Sequence, residues 1–152
     1  MDSHTAPWEC TFAKEEKSSC KPGKKLTNDN EYFEVLALTI LQAGLSWKMV
    51  REKWKELRPL FKKFNVKEMA KHDTKTLLNN PKMIKNERKI NAIIMNARVF
   101  LKIAKEYGSF KNYLKKLRKL SPKEKLKKLR ENFHRTGEYS AEYFLHSVGE
   151  NI

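Results

Sequence analysis

The residues best suited to chemistry lie at the end of one apolar stretch, residues 34–47. The stretch is apolar on every side of a helix, which indicates a buried central helix rather than a surface one. Thr39 and Gln42 lie about one turn apart near its end and could hydrogen-bond the edge of a base. A glycine ends the helix, Ser46 can cap the next one, and Trp47 could stack on a base, most strongly on a cationic one. These residues predict the wall of a base-binding pocket.

A structural role would explain the same residues. A tryptophan that follows a helix break is commonly part of a core, and Gln42 could cap nearby backbone groups instead of contacting a ligand. The residue types alone allow both interpretations.

A second candidate site precedes the last predicted helix. Thr136 and Gly137 form a short turn there, whose free backbone amides could bind a phosphate at the N-terminus of the helix. Arg135 and Ser140 flank the turn and complete the predicted backbone-binding site. An ordinary turn between helices is the alternative, and Glu138 favours that alternative because it places a like charge near the phosphate.

The charge of the chain indicates a polyanionic partner. Lysines and arginines number 33 against 18 acids, and the net charge is +15. Between residues 111 and 130 there are ten basic residues and a single acid, Glu124. A basic face beside a nucleic-acid site adds sequence-independent affinity by releasing counterions. It could equally be the solvated side of two amphipathic helices. Their core side would then hold Leu114, Leu117, Leu120, Leu126 and Leu129.

Length and composition suit one domain with one core, since the chain has 152 residues. The longest apolar run is far shorter than a membrane span and no signal peptide is visible, so we expect a cytoplasmic protein. Cys10 and Cys20 could be free thiols, half of a metal site or a disulfide, and free thiols are the default in a reducing compartment. No cluster of cysteine and histidine has strong zinc spacing.

Periodicity and capping residues predict an all-α protein, with an N-terminal extension over residues 1–26 and a helical domain over residues 27–152. Pro59 is expected to kink or split the second helix. The predicted helices span 27–43, 46–64, 66–71, 86–107 and 138–148, and others begin at Asp73, Ser109 and Ser121. The buried stripe of the longest helix is predicted as Ile90, Ile93, Ile94, Ala97, Leu101 and Ala104.

The segment Gln42-Ala43-Gly44-Leu45-Ser46-Trp47 resembles the signature of the DNA-3-methyladenine glycosylase I family. The resemblance extends over roughly residues 28–149. Further matching positions are Asp29, Tyr32, Phe33, Glu34, Ile84, Arg88, Lys89, Ile90, Ala92, Ile93, Asn96, Ala97, Arg98, Phe133, Gly137, Phe144 and Gly149. The resemblance implies a helix-hairpin-helix DNA glycosylase fold, base flipping, and hydrolysis of the N-glycosidic bond of alkylated purines such as 3-methyladenine.

The resemblance also implies a partner and roles for the candidate residues. Trp47 would stack on the flipped base, with Gln42, Thr39 and Ser46 around it. The expected partner is double-stranded DNA with an alkylated base, bound by a monomer in DNA repair and without a cofactor. The residues expected to hold the DNA backbone are Arg135, Thr136, Gly137 and Ser140. A non-catalytic DNA-binding or lesion-recognition module on the same scaffold is the alternative.

The chain departs from the family pattern in three places. Thr39 stands where the family has a glutamate that recognises the base and is thought to help catalysis. The family's N-terminal Tyr-His-Asp-x-x-Trp-Gly motif is not visible, and its zinc ligands would lie beyond Gly149, so we expect no metal and do not assign Cys10 as a ligand. Four carboxylates could in principle replace the glutamate, although surface solvation is the preferred role for each. They are Asp29, Glu31, Glu34 and Glu142.

Overall fold

The described part of the protein is all-α, as the sequence predicts. A computed structural model describes residues 26–43, 45, 47–136 and 138–150, without the side chains of residues 47, 138 and 139. Its helices are α1 (Asp29–Gln42), α2 (Trp47–Leu60), α3 (Val66–Lys71), α4 (Thr74–Leu78), α5 (Glu87–Tyr107), α6 (Phe110–Leu117), α7 (Pro122–Asn132) and α8 (Glu138–Ser147), with a 3-10 turn at Lys62–Phe64. Cys10, Cys20 and nearly all of the proposed N-terminal extension lie outside the described residues, and the division at residue 26 stays a prediction.

Local capping explains where most of these helices begin. In six described helices, a side chain just before the first turn accepts a hydrogen bond from a backbone N–H of that turn. The capping residues are Asn28, Asn65, Asp73, Asn86, Ser109 and Ser121. Gly108 ends α5 with a φ of 91°, a left-handed conformation that favours glycine. The starts predicted at Asp73, Asn86, Ser109 and Ser121 and this predicted stop are confirmed, whereas the first helix begins at Asp29 and not at residue 27.

The second helix is shorter than predicted. It ends at Leu60, directly after Pro59, and the chain then turns through the 3-10 segment with φ angles of 53–56°. Proline lacks the N–H that would continue the hydrogen-bond ladder, so the helix is weakened there. The turn brings Phe61 and Phe64 into a stacked contact with ring centroids 5.3 Å apart. Both rings are fully buried, and this contact favours ending the helix.

An aromatic cluster occupies the centre of the core. Phe110 lies within 4.5–6.0 Å, between ring centroids, of rings on α1, α5, α6 and α8 and of Phe133, at the start of the turn before α8. The predicted stripe of α5 is correct at Ile90, Ile93, Ile94 and Ala97 but wrong at Leu101, which is 37% exposed. Phe100 is buried instead, because its ring packs against Phe110 at 4.5 Å.

Helices α1, α5 and α8 form the interior of the domain. Helix α1 packs against α5 and α8, and nearly all of its residues from Tyr32 onward are buried. Beyond the end of α8, Glu150 accepts two hydrogen bonds from Arg118, at 2.8 and 2.7 Å, which ties the end of α8 to α6. Within the described part of the chain, no helix has the length and apolar character that crossing a bilayer requires. The turn between α1 and α2 and the turn before α8 both lie on this helical core.

Candidate functional site

The turn between α1 and α2, residues 42–47, is here called the signature turn. The Gln42 side chain donates from Nε2 to the Leu45 carbonyl at 3.0 Å, and the Leu45 N–H donates to the Gln42 carbonyl at 2.7 Å. Gln42 therefore caps nearby backbone, as one interpretation of the sequence predicted. Trp47 begins α2, whereas its side chain and Ser46 lie outside the described residues.

Thr39 lies deep in α1, one turn before the signature turn. Thr39 is only 1% exposed, and its Oγ1 donates to the Val35 carbonyl at 2.9 Å. The hydroxyl proton is thus used inside the helix, so Thr39 presents a hydrogen-bond acceptor and no charge. It cannot supply what a glutamate would supply at the same position.

Two carboxylates considered as replacements lie at the other end of α1. Glu31 accepts hydrogen bonds from the side chains of Thr27 and Asn28, at 2.6 and 2.7 Å. Asp29 accepts from the Phe110 backbone N–H at 2.9 Å. Eight residues of helix separate Glu31 from Thr39, which corresponds to about 12 Å along the axis. Both carboxylates therefore have structural roles away from the signature turn.

Glu34 pairs with α2 instead of facing the signature turn. Its Oε1 accepts from Arg58 Nε at 2.9 Å. Burial raises the pKa of Glu34 above its usual 4.5, although the hydrogen bond and charge of Arg58 act in the opposite direction. The remaining candidate, Glu142, lies half-buried on α8. No hydrogen bond of the described residues joins any of these carboxylates to Thr39.

The free energy of unfolding of Glu34→Gln, relative to that of the wild type, should increase as the pH rises. Because the pKa of Glu34 is raised in the folded state, the stability linked to its protonation is full below pH 4.5 and is lost as the pH rises through the folded pKa. Urea unfolding at pH 4 and pH 7 measures the difference between the two proteins. Glu56→Gln, at an exposed position of α2, controls for removing one negative charge from a basic protein. A difference that shrinks with rising pH contradicts the expectation.

Lys89, on α5, anchors the end of α1. The residue is 5% exposed, and its Nζ donates to the Leu41 carbonyl at 2.9 Å and also to the Ala43 carbonyl. Burial lowers the pKa of Lys89, and the charge of Arg135 lowers it further. Lys89 therefore holds the backbone on which the signature turn begins.

The turn between α7 and α8, residues 133–137, is here called the hairpin turn. Asn96, on α5 and 1% exposed, donates from Nδ2 to the His134 carbonyl at 3.1 Å and accepts from the His134 N–H at 2.7 Å. Thr136 is buried and its Oγ1 donates to the Phe133 carbonyl at 3.2 Å. Its hydroxyl therefore closes the turn from within.

The other predicted backbone-binding residues stand around this turn. Arg135 is exposed and has a φ of 55°, and Ser140 is half-buried in the first turns of α8. Gly137 lies outside the described residues. The structure thus brings Arg135, Thr136 and Ser140 to the N-terminal end of α8, and their role toward DNA stays a prediction.

One face of α5 joins the two turns. Lys89 and Asn96 are seven residues apart, which places them on the same side of a helix and about 10 Å apart along its axis. Both are polar residues within the apolar stripe of α5, which marks each of them in the sequence but does not indicate its partner. A buried lysine is rare unless it is paired. Sequence reasoning placed both residues in the family pattern without assigning a role to either.

Helices α6 and α7 carry a basic outer side and an apolar inner side. Leu114, Leu117 and Leu129 are buried, whereas Leu120 and Leu126 are half-buried, so the amphipathic interpretation is correct. The exposed basic residues of this segment are Lys111, Lys115, Lys116, Arg118, Lys119, Lys123, Lys127, Lys128 and Arg130. This set is called the basic face below. It is compatible with the phosphate interpretation as well.

A cavity of about 250 Å³ lies between α5, α6 and α7, and its lining reaches Asn132, directly before the hairpin turn. Its lining includes Tyr113, whose hydroxyl accepts a hydrogen bond from Asn132 Nδ2 at 2.7 Å. Burial raises the pKa of Tyr113 to about 12, so its phenol stays protonated at neutral pH. The cavity therefore offers no ionised phenolate.

Similar curated proteins include two DNA-3-methyladenine glycosylases. A DNA-3-methyladenine glycosylase from Haemophilus influenzae is 32% identical over 95 residues, 60% of this chain and 51% of the relative. DNA-3-methyladenine glycosylase 1 from Escherichia coli is 33% identical over 91 residues, which are 58% of this chain and 49% of the relative. The chain thus spans about half the length of the curated relatives it matches.

Solved structures support the fold. A mutant of 3-methyladenine DNA glycosylase I from Staphylococcus aureus superposes with a TM-score of 0.73 at 23% identity, covering 93% of this chain and 90% of the other. A second variant of 3-methyladenine DNA glycosylase I, in complex with 3-methyladenine, gives 0.72 at 23% identity over the same shares. The sequence model of the methyladenine glycosylase family matches residues 20–143. The chain therefore belongs to the methyladenine glycosylase family.

Proposed function

We propose that the protein is a DNA glycosylase, which flips an alkylated purine such as 3-methyladenine out of double-stranded DNA and hydrolyses its N-glycosidic bond. The observation that carries the proposal is the attachment of the signature turn and the hairpin turn to one face of α5. A glycosylase must hold the DNA backbone and an extruded base at the same time. The names of the relatives, and the 3-methyladenine complex of one structural neighbour, supply the substrate class.

Each turn has a task in this mechanism. The N-terminal end of α8 offers backbone amides and a positive dipole to a phosphate, with Arg135 exposed beside it. Trp47 stacks on the flipped base, and a cationic base gains more from the indole face than a neutral one. The bond between the sugar C1′ and the base nitrogen breaks, the electron pair leaves with the base, and water adds to C1′ and releases a proton.

The charge of the substrate explains how this site could work without the family's glutamate. A base methylated at N3 is already cationic, so it leaves more easily than a neutral base. Holding it flipped and stacked contributes orientation, which is a large part of many rate enhancements. We assign no residue as a general base. We also propose a cytoplasmic monomer that needs no cofactor.

Excision from methylated duplex DNA tests the proposal. The wild type should release 3-methyladenine above background, and Trp47→Ala should lose about tenfold or more, because stacking on an aromatic ring contributes roughly 1–3 kcal/mol per base. Gln42→Ala should also lose activity, since Gln42 closes the signature turn. Trp54→Phe is a control on α2 and should retain activity, because Trp54 is half-buried and the substitution keeps an aromatic ring against Phe64. No base release by the wild type, or full release by Trp47→Ala, overturns the catalytic claim.

A non-catalytic lesion-recognition module is the second candidate. The observation that favours it is Thr39, which is buried and hydrogen-bonded within its own helix where the family has a glutamate. Tight binding to duplex DNA that weakens steeply with salt, without base release, would support this function. Measured base release would reject it.

A further inference from the structure

We infer that Lys89 and Asn96 are positioning residues, which hold the signature turn and the hairpin turn on one face of α5 and so fix the flipped base relative to the bound backbone. This inference rests on the proposed function and deepens it. Neither residue is placed in contact with the substrate. Each acts through the backbone of the turn that it holds.

Lys89 controls the signature turn through main-chain carbonyls. The C-terminal carbonyls of a helix lack partners within the helix, and Nζ of Lys89 satisfies those of Leu41 and Ala43. Leu41 directly precedes the signature turn and Ala43 lies within it, so the lysine holds the backbone where the turn begins. The bond to Leu41 spans 48 residues of sequence, which makes it a true link between α5 and α1.

Asn96 controls the hairpin turn by a reciprocal pair of hydrogen bonds. One amide side chain satisfies both the N–H and the carbonyl of His134, at 2.7 and 3.1 Å. Both bonds are partly buried, and they join residues 38 positions apart in the sequence. Asn96 therefore fixes the position of the hairpin turn against α5.

The two links matter together because the sugar joins the base to the backbone. The nucleotide sets the distance between a bound phosphate and a stacked base, so the protein must hold its two binding turns at that distance. A misplacement of about 1 Å can reduce the rate about 100-fold. Helix α5 is a rigid spacer between the two turns, and its two polar residues transmit that spacing.

Separate binding probes can isolate each link. Free 3-methyladenine reports on the signature turn, and a duplex containing a tetrahydrofuran abasic-site analogue reports on the hairpin turn. Lys89→Met should weaken binding of the free base about tenfold and leave duplex affinity within about twofold. Asn96→Leu should do the reverse. Each variant should lower the rate of single-turnover excision about 10- to 100-fold. The fold-loss in the double variant should be smaller than the product of the two single fold-losses.

Matched variants separate positioning from general loss of structure. Lys85→Met is the control, because Lys85 also donates to two carbonyls, those of Leu78 and Asn80, but in an exposed loop. It should change neither affinity nor excision. Lys89→Arg, which keeps donors at the same place, should recover part of the free-base affinity. Asn96→Asp keeps the acceptor for the His134 N–H but places a carboxylate oxygen against the His134 carbonyl at a buried position, so it should weaken duplex binding at least as much as Asn96→Leu.

Hydrogen exchange supplies a readout that is independent of activity. Lys89→Met should speed exchange at the Leu45 amide, and Asn96→Leu should speed exchange at the His134 amide. Unchanged exchange at these amides, or equal effects of both variants on both probes, overturns the inference. If the wild type neither binds nor excises, the proposed function fails, while the exchange rates still decide whether the two residues hold the turns.

Discussion

Phe110→Ala is expected to lower the free energy of unfolding by about 3–5 kcal/mol, a large share of the stability of a domain of this size. Phe110 is fully buried, and its ring contacts rings on four helices as well as Phe133 at the start of the hairpin turn. Truncation leaves a cavity that rigid neighbouring rings cannot fill. Urea unfolding followed by circular dichroism measures the change, provided the denaturant slope stays constant.

Leu101→Ala is the matched control for this prediction. Leu101 is an exposed apolar residue on α5, one position from Phe100, and its truncation should cost no more than about 0.5 kcal/mol. A loss below about 1 kcal/mol for Phe110→Ala would contradict the packing of the aromatic cluster. Because Phe133 touches the same ring, Phe110→Leu should also test whether loosening the core weakens the hairpin turn at temperatures where the fold persists.

Thr39→Glu is expected to raise the excision rate about 100-fold. A carboxylate near the scissile bond can stabilise positive charge on the sugar or activate water, and such groups contribute roughly 10²- to 10⁴-fold. Thr39 is buried and uncharged, so the protein as it stands has no carboxylate at this position. Single-turnover release of 3-methyladenine from duplex DNA measures the gain.

The matched control for this change is Thr39→Gln, which adds the same bulk without the charge. Thr39→Gln should lose about 1–3 kcal/mol of stability from overpacking, and Thr39→Glu should lose more, because its carboxylate is desolvated at a position that is 1% exposed. The two variants must therefore be compared where both are folded. Equal excision by Thr39→Gln and Thr39→Glu would show that charge at this position is not what limits the reaction. An increase restricted to Thr39→Glu shows that a carboxylate at this position accelerates the reaction, whereas base release by the wild type decides between the catalytic proposal and the recognition module.

Helix boundaries were the most predictable part of the fold, because capping is local. Asn28, Asp73 and Ser109 each accept from an N–H only a few residues away, and such short-range signals are visible in the sequence. Pro59 was expected to kink or split the second helix, but that helix was predicted to continue to residue 64. The left-handed turn at residues 62–64 was not predicted, because the stacking of Phe61 on Phe64 has no signature in the sequence.

The inner face of α5 was predictable only in part. A stripe of period 3.6 fits both Phe100 and Leu101, and the choice depends on which side meets the aromatic rings of other helices. Those rings lie far away in sequence. Burial of Phe100 is therefore a tertiary result that periodicity alone cannot decide.

The candidate site was predicted as two separate motifs, and their connection was not. The signature turn and the hairpin turn are recognisable from adjacent residues, whereas the links made by Lys89 and Asn96 span 48 and 38 residues. Hydrogen bonds over such separations leave no local pattern. The inward bond of Thr39 was also invisible, because a threonine in a helix can direct its hydroxyl to its own backbone or to a ligand.

The spacing of Lys89 and Asn96 limits how the length of this protein can vary. Inserting or deleting one residue between them would rotate one side chain by about 100° around α5 and release one of the two turns. The loop at residues 79–86 and the connection at residues 118–121 lie outside that interval and can change length without altering it. We therefore expect natural and engineered insertions to accumulate in those two connections, and the segment from Lys89 to Asn96 to keep its length.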